Sequence, residues 1–165
     1  MASSAKTPVW KLLPTLIVAV VVLAASMYFF WEWQKNRPLT PVRELSVAVE
    51  NGAATQLIGP YTVCELDEQC VGGQPPSMTL DESAVVKFTV PREIASSSWK
   101  LLSIYDDPEA NGEQLFQSGE ASEAVVDARV NGARLVVAEV SFLAVDTKND
   151  GEEVPVVATW SVSFD

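Results

Sequence analysis

The chain has 165 residues, 48% of them hydrophobic, a net charge of −11 and no histidine. The length suits one domain plus an appendage, and the missing histidine removes Ser-His-Asp catalysis, Cys-His catalysis and His-ligated metal sites. From Leu45 onward 20 Asp and Glu stand against 6 Lys and Arg, a surface that repels phosphate backbones and argues against a nucleic-acid partner.

In chain order the first element is a helix. Residues 12–31 (LLPTLIVAVVVLAASMYFFW) contain no charge. A helix from Trp10 to Trp31 rises roughly 31 Å, close to the thickness of a bilayer core. Trp10 and Lys11 stand at one end and Trp31 and Trp33 at the other, as membrane-interface anchors do. Pro14 is placed in the first turn, where proline costs little. The expectation is a short cytoplasmic tail over 1–11 and a transmembrane helix over 12–33. Ala24-Ala25-Ser26 offers the small residues of a signal-peptide cleavage site, but the apolar run continues through Trp31, which favours an uncleaved anchor. Ser26 also stands where a lipoprotein box needs cysteine, so acylation there is excluded. Thr15, Ala19, Val22 and Ser26 fall on one helix face, and small residues so spaced let a partner helix approach closely. Such a stripe also arises by chance in an Ala/Val-rich span.

A spacer follows over 34–43. Pro38 and Pro41 favour an extended, stiff segment. The positive-inside count is nearly a tie, Lys6 and Lys11 with the terminal amine against Lys35, Arg37 and Arg43, so orientation rests on the two cysteines. Cys64 and Cys70 enclose Glu65-Leu66-Asp67-Glu68-Gln69. Zinc needs four ligands, and a thioredoxin-type pair has two intervening residues rather than five. A disulfide closing a short acidic loop is the remaining specific reading; two reduced cysteines without a role are the bland one. A bonded pair places the C-terminal part outside the cytoplasm.

From residue 44 the pattern turns to strands, expected near 44–50, 55–63, 77–80, 84–90, 98–105, 114–118, 122–130, 134–146 and 154–164. Asn51-Gly52, Asn111-Gly112, Asn131-Gly132 and Asp150-Gly151 are hairpin signals. Residues 135–145 are apolar enough for a central strand, and Trp99 and Trp160 are natural core aromatics. Residues 92–97 have room for a single helical turn. Short strands at regular spacing predict an all-β fold, an Ig-like or fibronectin-like β-sandwich over 44–165 behind the single N-terminal transmembrane helix.

Two acidic stretches, beginning at Asp106 and Asp146, depart from a calcium loop: Lys148 occupies a ligand position of one, and the twelfth positions, counted from Asp107 and Asp146, hold Ser118 and Val157. They read as solvated turns. No catalytic, cofactor-binding or metal residues are assigned.

Cys64 and Cys70 with their acidic loop, then Val90-Pro91 leading to Trp99-Lys100-Leu101-Leu102-Ser103-Ile104-Tyr105, and the ending Ala158-Thr159-Trp160-Ser161-Val162-Ser163, carry a resemblance over about 44–165. The chain resembles an actinobacterial family of membrane-anchored envelope proteins with a domain of unknown function. The resemblance implies an extracytoplasmic β domain without established catalytic residues. It also makes the cytochrome bcc–aa3 respiratory supercomplex a candidate partner, by analogy with small single-span proteins of that lineage. The expected function is that of a non-catalytic accessory subunit, in contact with the lipid bilayer and with other membrane-complex subunits through the helix and the β domain. Edge strands of the sandwich offer a second docking mode, by strand addition. The alternative is a ligand- or calcium-binding module of the cell envelope, and a histidine-free carboxylate hydrolase is the remotest reading.

Overall fold

A computed structural model describes residues 9–35, 40–66, 70, 72–147 and 151–165, with side chains of the first helix described over 16–32. The chain divides into two units, Met1–Leu39 and Thr40–Asp165.

The first unit contains α1, Val9–Lys35, of 27 residues. Leu, Ala, Met and Val without an interrupting glycine carry a helix this long. It begins three residues before the uncharged run, so Pro14 lies in the second turn rather than the first and returns no N–H to the carbonyl four residues back. Every described side chain over 16–32 is exposed. Among the described residues no helix is long and apolar enough to cross a membrane. Residues 1–8 of the expected tail and 36–39 of the spacer lie outside the described residues.

The second unit holds eleven described strands in two sheets. One runs β2-β1-β5-β8, where β1 is Val47–Asn51, β2 Ala54–Ile58, β5 Val85–Thr89 and β8 Glu123–Asp127, all antiparallel. The other runs β3-β11-β10-β6-β7, where β3 is Thr62–Glu65, β6 Trp99–Tyr105, β7 Gly112–Phe116, β10 Ala133–Thr147 and β11 Glu153–Phe164. Two short strands complete it: β4, Ser77–Met78, lies parallel to the end of β11, and β9, Arg129–Val130, pairs with β10. A single helical turn, α2, occupies Arg92–Ala95.

Alternation builds the core. Val47 and Val49, Val86 and Phe88, and Ala124 and Val126 face inward from the first sheet; Trp99 and Leu101, Val140 and Phe142, and Ala158, Trp160 and Val162 do so from the second. Both indoles are buried, as their strand positions predict, and both are satisfied. Trp160 Nε1 donates to Leu45 O and Trp99 Nε1 to Ala121 O, each at 3.1 Å. The core reaches further toward the N-terminus than the strand pattern, because Val42, in a 3-10 turn at Val42–Glu44, is also buried.

Four local expectations change. The single strand expected at 122–130 is two, β8 in the first sheet and β9 against β10 in the second. The single strand expected at 55–63 is two strands, β2 and β3, which belong to different sheets because Gly59-Pro60 break the ladder between them. Asn51-Gly52 does mark a hairpin, but the turn residues are Gly52, at φ 58°, and Ala53, since Asn51 pairs with Ala54. That places glycine at the first central position. Asn111-Gly112 is not a two-residue turn: Gly112 opens β7 opposite Ser103, and the connection holds a 3-10 turn at Pro108–Ala110. Asn131-Gly132 behaves as expected, both residues having positive φ between Val130 and Ala133.

β10 carries a register shift between Leu135 and Val137. Leu135 points inward, then Ala138, Val140 and Phe142 do. The extra residue re-phases the strand, so the run Leu135-Val136-Val137-Ala138 does not alternate.

Candidate docking surfaces

The free side of β8 is closed by side chains. A two-residue hairpin makes Asn51 and Ala54 a hydrogen-bonded pair, and alternation across β1 and β5 then directs the backbone groups of Val125 and Asp127 away from β5. Side chains of the other sheet meet two of these carbonyls. Gln114 Nε2 donates to Val125 O at 3.1 Å and the Tyr105 hydroxyl to Asp127 O at 2.8 Å. The Trp99 indole bond to Ala121 O continues the row, and Trp99 stacks on Phe116 of β7 with centroids 4.2 Å apart. Burial, then the nearby Asp127 carboxylate, pushes the Tyr105 phenol up from its ordinary value. It therefore stays a hydrogen-bond donor.

The outer face of the second sheet is different. Register places Leu143 beside Val157 and Val157 beside Cys64. The next row runs Leu115, Lys100, Ser141, Thr159 and Thr62. Leu115, Leu143 and Val145 are 62%, 58% and 61% exposed. Two shallow hollows share Val157, one against Leu115 and Leu143, the other against Cys64, Leu66 and Cys70. Charged residues on this face include Lys100, held to Glu113 at 3.1 Å, and Glu139 and Glu153 on the outward parity of β10 and β11. An antiparallel sheet that faces water on one side alternates polar residues there. Here leucines and valines occupy those positions at the end of the sheet next to the disulfide. In the sequence residues 135–145 read as a central strand; the register sets Glu139, Ser141, Leu143 and Val145 outward, so the apolar part of this face is confined to Leu143 and Val145 of β10.

Cys64 and Cys70 form a disulfide with Cα atoms 5.7 Å apart, which is the specific reading of their spacing. It tethers the end of β3; residues 67–69 of the loop lie outside the described residues. Of the expected helix-packing face, Ala19, Val22 and Ser26 are exposed, and the Ser26 hydroxyl donates to Val22 O at 2.7 Å. Trp31 is exposed; the side chains of Thr15 and of the anchors Trp10, Lys11 and Trp33 lie outside the described residues.

The first acidic stretch behaves as a turn. Asp107 Oδ1 accepts from Glu109 N at 3.0 Å and Asp106 Oδ1 from Arg134 N at 2.8 Å. Residues 148–150 of the other stretch lie outside the described residues. Among the described residues no group of three or more Cys, Asp or Glu stands where it could hold a metal. Glu82 pairs with Arg129 Nε at 2.6 Å and with Arg134 Nε at 3.1 Å. The Arg129 hydrogen bond, more than its charge, holds the Glu82 carboxyl below its ordinary value, and the same contact raises Arg129. Arg129 also donates to Gly132 O, so the group latches the loop before β5 onto the β9–β10 hairpin.

Two mycobacterial proteins are similar along most of the chain: Uncharacterized protein Rv0875c of Mycobacterium tuberculosis (strain ATCC 25618 / H37Rv) and Uncharacterized protein Mb0899c of Mycobacterium bovis (strain ATCC BAA-935 / AF2122/97). Each is 28% identical over 156 residues, covering 91% of this chain and 93% of the relative. That coverage exceeds the second unit, Thr40–Asp165, and so runs into α1. No solved structure matches. The family described as protein of unknown function (DUF2771) matches residues 40–165, and the chain belongs to it.

Proposed function

We propose that this protein is a non-catalytic, single-span component of the cell envelope whose β domain docks on a larger membrane complex and stabilises or assembles it. The apolar outer face at Leu115, Leu143 and Val145 carries this reading. Apolar side chains on the solvent side of a sheet gain from cover, and a protein partner of complementary shape supplies it. The uncharged run at residues 12–31 supports a membrane anchor, and the disulfide supports placing the domain outside the cytoplasm. The strand orders support an Ig-like reading of the sandwich: β1-β5-β8 corresponds to strands A, B and E, and β11-β10-β6-β7 to G, F, C and C′, with buried Trp99 on the C position. The respiratory supercomplex is the first partner to look for, on lineage resemblance.

The test is copurification of the tagged full chain from its native membranes in mild detergent, beside a Leu115→Glu/Leu143→Glu variant. Stoichiometric recovery of partner subunits, lost in the variant while Trp fluorescence is unchanged, is the expected result. Recovery of the protein alone under the gentlest extraction, or equal recovery by both forms, overturns the reading.

A further inference from the structure

The two outer strands of the first sheet are finished in opposite ways. On β8 the outward carbonyls of Val125 and Asp127 are taken by Gln114 and Tyr105. On β2 the same alternation directs the backbone groups of Thr55 and Leu57 outward, and among the described residues no strand lies on that side. The edge has none of the usual protection. Ala54-Thr55-Gln56-Leu57-Ile58 contains no charge and no proline, and its ladder to β1 runs without a bulge. Leu57 is 71% exposed, the most exposed large apolar side chain of the chain's β domain among the described residues.

We propose that β2 is a self-association edge: two copies of this chain pair antiparallel through β2, about a two-fold axis at Gln56. The backbone asks for an extended strand, and three features favour a second copy as that strand. The segment is self-complementary, because an axis at Gln56 sets Thr55 opposite Leu57 of the other copy, and those are the residues whose N–H and C=O point outward. The edge is neutral in a chain of net charge −11. Its charged neighbour on the same face is Glu50, opposite Thr55, and Glu50 is neutralised by Lys87 at 2.9 Å, so like charges do not meet across the axis. Pairing also lays Leu57 along a neighbouring strand, which reduces the exposure of its side chain. The product is one continuous sheet of eight strands, with the protected β8 edges at its two ends. This inference does not rest on the docking reading above, which uses the other sheet.

The test is amide hydrogen exchange on the full chain in detergent micelles, in a concentration series up to about 1 mM, with light scattering for mass. Thr55 and Leu57 are expected to exchange more slowly as concentration rises, in step with a doubling of protein mass. Ala54 and Gln56, which bond to β1, are protected throughout. Leu57→Lys places a charge on the edge at an exposed position; it is expected to abolish the slowing at Thr55 and the edge-dependent mass increase, with Trp fluorescence unchanged. Three outcomes overturn the proposal. Thr55 and Leu57 exchange fast at every concentration, which includes a dimer held through the helix. They are slow at every concentration while the mass stays that of one copy, which means the chain covers its own edge. Or the slowing at Thr55 survives Leu57→Lys, which means the contact is not β2 on β2.

Discussion

Asn51 gives the most exacting test of the packing. It ends β1, is 2% exposed and holds the loop at residues 81–85 by its side-chain amide, whose two N–H protons are shared among three carbonyls. Its Nδ2 donates to the carbonyls of Asp81, Ala84 and Val85 at 3.2, 3.4 and 3.2 Å, and its Oδ1 accepts from Asp81 N. Asn51→Ala removes these bonds and takes from the Asp81 N–H its acceptor. The two Nδ2 protons and the Oδ1 acceptor support three net bonds, which at about 1 kcal/mol each give a loss of about 3 kcal/mol. At a urea dependence of roughly 1.5 kcal/mol per molar, the midpoint falls by about 2 M at constant slope. The assay is urea unfolding of the full chain in mild detergent, followed by Trp fluorescence, since Trp99 and Trp160 are buried. Asn51→Asp sharpens the argument. It keeps the acceptor for Asp81 N but sets a carboxylate against three carbonyls in a desolvated site, so the folded-state pKa of the new carboxyl lies above its unfolded value of about 3.9. The unfolded state then binds fewer protons between the two values. Stability of the variant falls as pH rises from about 4 toward the folded-state pKa, and the penalty fades below pH 4. A midpoint shift under about 0.3 M for Asn51→Ala, or an Asn51→Asp penalty equal at pH 4 and pH 7, refutes the reasoning.

Two further outcomes follow from the same geometry. Glu82 has a folded-state pKa held below its ordinary value by Arg129, so its contribution is present above that ordinary value and is lost as pH falls through the folded one; the melting temperature of the native chain is expected to fall more steeply than that of Glu82→Gln between about pH 5 and pH 3. A thiol assay on the unfolded, unreduced protein is expected to find no free cysteine, and Cys64→Ser/Cys70→Ser to cost about 2–3 kcal/mol with faster amide exchange confined to β3 and its loop, since so small a ring restrains one strand end. A loss of all structure in that variant overturns this placement of the disulfide.

A docking role and a self-association role use different parts of the domain, and the structure separates them. Leu115 and Leu143 lie on the outer face of the second sheet, while Thr55 and Leu57 lie on an edge of the first. Substitutions at one leave the other intact, so each is tested with the other as control.

The sequence by itself determined the helix, the all-β character of the rest, the buried indoles and the cysteine pair. Each of these is written in neighbouring residues: an uncharged run, a period of two, a turn dipeptide, a short spacing. Tertiary structure decided what joins distant parts of the chain. It assigned β2 and β3 to different sheets across Gly59-Pro60, and it re-phased β10 at its bulge. It turned Asn51 from a turn residue into the pin of a loop 30 residues away, and it sealed β8 with Gln114 and Tyr105 while leaving β2 bare. The reason is that alternation reports only which side of a strand a residue faces. Which edge stays open depends on backbone groups, common to every residue, and on whether a side chain from elsewhere in the fold reaches them.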